Sequence, residues 1–159
     1  MVPLTEKGVS PMLTSIIVAS LIVAPSPLDA ADLGCISDGQ CYSQVINEAG
    51  WIAGYGDAPN GMSQHGFVWN GTELVHILPL NYPNGGQIWA YGINDFGDVV
   101  GYSSTGPTFH AFLWDGEQMQ DLGKPDWSAA DFSRAQDINN NGWVVGMAGG
   151  VPFDLRGFI

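Results

Sequence analysis

Two histidines at equivalent places invite a metal. His65 and His110 each open a His-x-Phe-x-Trp run and lie 45 residues apart, as a repeated ligand set would require. Zinc, however, normally takes three or four converging ligands; the equivalent place in a third run is Arg156, and no cysteine falls inside the repeats. The pattern therefore predicts structural imidazoles, each hydrogen-bonded to a turn carbonyl or side chain that holds adjacent strands. His76 has no counterpart. Calcium is the second candidate, since Asp137-Ile138-Asn139-Asn140-Asn141-Gly142-Trp143-Val144 places oxygens and a glycine as the first part of a calcium loop does. The last place of such a loop needs a bidentate acid and here is Ala148, while the corresponding runs put Val45, Ala49, Gly92 and Phe96 where oxygens belong. A turn explains every copy. No Gly-x-Ser-x-Gly elbow accompanies the serines and histidines, and the scattered acids single out no pair for general acid and base work. The sequence thus assigns no catalytic residue, no metal site and no cofactor. Asn70-Gly71-Thr72 meets the glycosylation sequon.

Aromatic residues supply the remaining chemistry. Trp69 and Trp114 share phase with Phe67 and Phe112, the alternation of a buried strand face. Trp51 and Trp143 instead follow a turn glycine, and Trp89 and Trp127 sit in the variable connections, where rigid repeat scaffolds carry function. These four are the candidates for stacking on a sugar or a peptide, with a core or interblade role as the alternative for each.

The elements that position these residues are repeats. Ile46-Asn47-x-x-Gly50-x-x-x-Gly54, Ile93-Asn94-x-x-Gly97-x-x-x-Gly101 and Ile138-Asn139-x-x-Gly142-x-x-x-Gly146 align without gaps, their starts 47 and 45 residues apart. The second anchor, His65-Gly66-Phe67-Val68-Trp69, His110-Ala111-Phe112-Leu113-Trp114 and Arg156-Gly157-Phe158-Ile159, keeps the same interval, with steps of 45 and 46. A shared period of this size marks solenoids, propellers and arrays. Asn-x-x-Gly reads as a turn. Val99-Val100-Gly101-Tyr102 and Ala111-Phe112-Leu113-Trp114 read as strands, and Asp115-Gly116 signals a hairpin into the alternating Glu117 to Leu122. Trp89-Ala90-Tyr91-Gly92 and Arg134-Ala135-Gln136-Asp137 supply a further short strand. Four such strands with their connections come to roughly 36 to 48 residues, the size of a propeller blade.

These paired motifs, together with Met119-Gln120-Asp121-Leu122-Gly123, resemble the extracellular HAF repeat family, named for the His-Ala-Phe present here as His110-Ala111-Phe112. The resemblance covers about residues 43–159, with Gly66 in place of alanine, Arg156 in place of histidine and the last tryptophan missing. It implies an exported, propeller-like array and brings no catalytic residues with it. The fold expected is all-β: antiparallel four-stranded units in a partial propeller-like array of about two and a half blades, or alternatively a β-solenoid. So few blades cannot close a ring; either a second subunit completes it or the chain is part of a longer propeller.

Ahead of the repeats, Lys7, the apolar run Ile16 to Ala24 and the small residues around Ala30 have the order of a secretory signal. The run is too short to span a bilayer. Residues 1–30 are thus expected to be a cleaved signal peptide, 31–42 a cysteine loop, and 43–159 the repeats, divided near 43–89, 90–134 and an incomplete 135–159. An exported chain meets an oxidising compartment. Cys35 and Cys41 around the turn-forming Asp38-Gly39 are therefore read as a disulfide, lipidation of Cys35 being disfavoured by the residues before it. Four Lys+Arg against 16 Asp+Glu give a formal charge of -12. Such a surface repels phosphate backbones and anionic headgroups, which excludes nucleic acid. The function expected is an exported, noncatalytic scaffold for an unidentified extracellular glycan or protein. The alternatives are a piece of a propeller-type glycan-active enzyme and a purely structural surface passenger.

Overall fold

Each Asn-x-x-Gly run closes a β-hairpin. In the computed structural model, which describes residues 32–125, 131–150 and 155–159, the asparagine N–H donates across the turn to Trp51, Asp98 or Trp143 at 3.0 to 3.1 Å. Gly50, Gly97 and Gly142 take φ of 80°, 88° and 77°, the left-handed region that a side chain makes costly. The signal-peptide reading and Trp127 lie outside the described residues.

The strands form three antiparallel sheets, and the chain is all-β. The first runs in the order β1 (Cys41–Ile46), β2 (Ile52–Asp57), β3 (Gln64–Trp69), β4 (Leu74–Ile77). The second repeats it with β5 (Ile88–Ile93), β6 (Val99–Ser104), β7 (Phe109–Trp114) and β8 (Met119–Gly123). The third comprises β9 (Phe132–Ile138), β10 (Val144–Gly149) and β11 (Arg156–Phe158), with β10 in the middle.

The glycines four residues after each turn have a backbone cause. The first strand of every sheet carries a β-bulge, at Gln44, Tyr91 and Gln136, and Gly54, Gly101 and Gly146 pair with the residue just before it. A bulge turns a carbonyl toward the neighbouring strand. A Cβ on any of the three would fall on the carbonyl oxygen of Tyr42, Trp89 or Arg134 respectively. Only glycine fits.

Alternation along β6 then joins the sheets. Val99 faces the first sheet, in a buried cluster with Ala53, Val68, Ile77, Ile93 and Phe112; Val100 faces the third, with Ala111, Ala135 and Ile138. Adjacent strand residues point to opposite faces, so β6 is buried along its whole length. Ser103 and Ser133, also buried, are satisfied by main chain: Leu80 N–H donates to Ser103 Oγ at 2.9 Å, and Ala111 N–H to Ser133 Oγ at 2.8 Å.

At the turns the sheets are tied by an asparagine ladder. Asn47 Nδ2 donates to Asn94 O at 2.8 Å, and Asn94 Nδ2 to Asn139 O at 3.4 Å. One residue on, Glu48 N–H donates to the Asp95 carboxylate at 3.0 Å and Asp95 N–H to Asn140 Oδ1 at 2.9 Å. The Trp51 ring covers Gly97, occupying the space a Cβ there would need. The same turn therefore builds both the hairpin and the contact to the next sheet.

Candidate functional site

The bulge register brings aromatic side chains into a row across two sheets. Tyr42 pairs with Tyr55, Trp89 with Tyr102 and Arg134 with Met147, the same two positions in each repeat. Ring centroids lie 5.3 Å apart for Tyr42 and Tyr55, 6.2 Å for Tyr55 and Trp89, and 4.6 Å for the stacked Trp89 and Tyr102. Phe109 meets Trp89 and Tyr102 edge-on at 5.7 and 5.8 Å, and Tyr91 approaches Tyr102 at 5.6 Å. The row ends on a cation, the Arg134 guanidinium, 4.6 Å over the Tyr102 ring and 5.0 Å over Phe132. Cation over ring is a favourable quadrupole contact, and the buried Arg134 Nε has no hydrogen-bond partner.

A groove of about 300 Å³ opens at this end, lined by Tyr91, Tyr102, Arg134, Gln136 and Met147. Burial first, then the hydrogen bond and charge of Tyr91, hold the Tyr102 hydroxyl far above the usual phenol range. Burial likewise raises Tyr55, with smaller contributions from Tyr91 and Tyr42. Both phenols remain neutral near pH 7. The site therefore offers ring faces, neutral hydroxyls and one fixed positive charge, a set suited to stacking and hydrogen bonding.

The sequence candidates fall in different places. Trp89 belongs to β5, in keeping with the short strand expected over Trp89-Ala90-Tyr91-Gly92 and not with a place in a connection, and sits half-buried in the aromatic row. Trp51 is half-buried against Gly97 between sheets. Trp143 is exposed beside a second groove of about 450 Å³ with Val145 and Ile159. Phe67, Phe112 and Trp114 are buried and Trp69 half-buried, the spacing of a core face.

His110 Nδ1 sits 3.0 Å from both carboxylate oxygens of Asp121 on the neighbouring strand β8. His65 differs from expectation: it is 8% exposed and neither ring nitrogen is hydrogen-bonded. Its repeat partner's acid has become His76, whose ring, with that of Tyr82, meets His65 edge-on at 6.3 and 6.2 Å. Burial, and next the charge of His76, push its pKa down.

In the calcium-like run, Asp137 Oδ1 accepts the Ile138 N–H and Asn139 Oδ1 those of Asn141 and Trp143, the bonds of a turn. Cys35 and Cys41 are joined in a disulfide with Cα atoms 5.7 Å apart. Asn70 of the sequon lies in a turn, its Oδ1 accepting from Thr72 N–H and Oγ1 and from Glu73 N–H.

Sequence reasoning missed Tyr42, Tyr55, Tyr91, Tyr102, Phe109 and Arg134. For Tyr42, Tyr55, Tyr102 and Arg134 the signal was available in the alignment of Tyr42, Trp89 and Arg134 ahead of each Ile-Asn, and of Tyr55, Tyr102 and Met147 behind each repeated glycine; Tyr91 and Phe109 have no such counterpart. No family model, curated protein or solved structure matches the chain. Among the described residues no helix is long and apolar enough to cross a membrane.

Proposed function

We propose that this chain is an exported, noncatalytic β-repeat scaffold of the HAF type that binds an extracellular ligand along its aromatic row, a glycan chain being the ligand the row fits best. The observation that carries the reading is the row from Tyr42 through Tyr55, Trp89 and Tyr102 to Arg134, with its groove. Sugar rings stack on aromatic faces, and their hydroxyls hydrogen-bond to guanidinium and phenol groups. The repeated residues, by contrast, are glycines, asparagines and core side chains that build the scaffold. A propeller-like curvature of the stacked sheets belongs to the same proposal.

The test is titration of the protein with cello-, xylo-, chito- and laminarihexaose, read by tryptophan fluorescence and calorimetry. One of these is expected to bind, with Tyr42→Ala and Trp89→Ala each weakening it about tenfold, the value of roughly 1.4 kcal/mol in stacking. Absence of binding across the panel overturns the glycan reading. Turnover of an oligosaccharide, abolished by one acid-to-amide substitution, overturns the noncatalytic one.

A further inference from the structure

The ladder bonds that join successive sheets recur at both junctions, Trp51 over Gly97 being added at the first, and both outer faces of the stack carry unused halves of this contact. On the outer face of the third sheet, Asn139 Nδ2 and Asn140 N–H donate to nothing among the described residues, whereas Asn47 Nδ2, Asn94 Nδ2, Glu48 N–H and Asp95 N–H all reach the next sheet. Trp143, equivalent to the Trp51 that covers Gly97, is 58% exposed. Val145, equivalent to the buried Ala53 and Val100, is exposed as well. Trp143 and Val145 line the groove of about 450 Å³ with Ile138, Asn139 and Ile159.

The outer face of the first sheet carries the complement. Ile46 is 64% exposed, where Ile93 and Ile138 are 6% and 5% exposed beneath the preceding sheet. The Asn47 carbonyl accepts only Gly50 N–H, while Asn94 O and Asn139 O each accept a second donor from the sheet before. Glu48 has a carboxylate where Asp95 takes the Glu48 N–H. A Cβ on Gly50 would meet open space, as would one on Gly142, where the preceding repeat has Asp98 in place of a tryptophan; Gly97 is filled by Trp51, and Trp143 is the tryptophan available to Gly50 of a copy.

We propose that the protein assembles head to tail with a second copy of itself, the outer face of its third sheet docking on the outer face of the copy's first sheet. Asn139 Nδ2 donates to Asn47 O of the copy, Asn140 N–H to its Glu48 carboxylate, Trp143 covers its Gly50, and Val145 packs on its Ile46. The occupant is a second copy because the surface required is the one that already seats Asn47, Glu48 and Trp51 on Asn94, Asp95 and Gly97. The interface is heterologous, so further copies add in the same sense and build a ring or a filament. This assembly is independent of the ligand reading above.

The experiment is sedimentation velocity and light scattering of the 159-residue chain up to about 1 mM, in about 0.5 M NaCl to screen the mutual repulsion of acidic copies. Wild type is expected to exceed its 16.9 kDa monomer mass increasingly with concentration. Ile46→Lys and Trp143→Lys each alter an exposed side chain and block one face, so each alone stays monomeric. Mixed in equal amounts they form a dimer and nothing larger, since each supplies the face the other lacks. Monomeric wild type at every concentration, association that survives both substitutions, or a mixture that stays monomeric would each overturn the proposal.

Discussion

Asn94→Ala tests the ladder at its buried rung. Asn94 is 3% exposed. Its Oδ1 accepts Phe96 N–H at 3.0 Å and Asp98 N–H at 2.9 Å, while Nδ2 donates to the Asp98 carboxylate at 2.7 Å and to Asn139 O at 3.4 Å. Losing the charged bond costs about 2 kcal/mol, and two main-chain donors left without an acceptor add roughly another 1 to 2 kcal/mol, for a total near 3 kcal/mol. Asn139→Ala is the comparison, since Asn139 has neither a carboxylate at the place of Asp98 nor, among the described residues, a sheet beyond it. Asn139 makes the same two turn bonds, to Asn141 and Trp143 N–H at 2.9 and 3.0 Å, but on an exposed turn where water replaces them, so about 1 kcal/mol is expected. The difference of about 2 kcal/mol is roughly a thirtyfold change in the folding equilibrium. Urea unfolding followed by tryptophan fluorescence and circular dichroism, with equal m-values, measures it. Losses equal within about 0.5 kcal/mol would refute the reasoning that burial and the bonds of Asn94 Nδ2, to the Asp98 carboxylate and to Asn139 O, add to the two turn bonds that both asparagines make.

Three further outcomes follow from named contacts. Gly101→Ala sets a Cβ on the Trp89 carbonyl across the bulge and should cost about 3 kcal/mol in urea unfolding, against less than about 1 kcal/mol for Asp115→Asn in the exposed turn. Because the folded-state pKa of His65 is lowered by burial from its ordinary 6.5, the unfolded chain takes up the proton first. Stability should therefore fall as pH drops below about 6.5 and level off beneath the folded-state pKa, and His65→Phe should remove that part of the pH dependence of Tm. Reduction of the Cys35–Cys41 disulfide, which closes a short loop, should cost about 2 kcal/mol by loop entropy.

The strands and turns were legible because three copies of one unit could be laid over one another. Ile46, Ile93 and Ile138, with the asparagine and glycines after each, mark the hairpins wherever the rest varies. The aromatic row was not legible because each first strand carries one extra residue, Gln44, Tyr91 or Gln136. Side chains alternate with a period of two, so a bulge that the sequence does not announce changes the face of everything before it. The sequence therefore reads Trp89 both as a connection residue and as the start of a short strand, and only its pairing with Tyr102 sets its ring in the row. The ladder was hidden for another reason. An Asn-x-x-Gly turn has a complete local explanation in the asparagine oxygen, and nothing in the sequence says that its Nδ2 reaches the next sheet.

The positions that repeat and those that vary have different physical causes. Gly54, Gly101 and Gly146 admit no side chain because a carbonyl occupies the space. Two residues before each bulge's partner pair shifts, at Tyr42, Trp89 and Arg134, the backbone imposes no such limit, and the residue changes from phenol to indole to guanidinium along the stack. Along that line ring faces stand at one end and a fixed positive charge at the other. The row therefore changes chemistry along its length, which a stack of identical units would not. Reversing it by exchanging Tyr42 and Arg134 would keep every scaffold contact described for the glycines and asparagines while inverting the order in which a ligand meets stacking and charge. On the proposed glycan reading, the orientation of a bound chain would be set by the positions that the repeat leaves free.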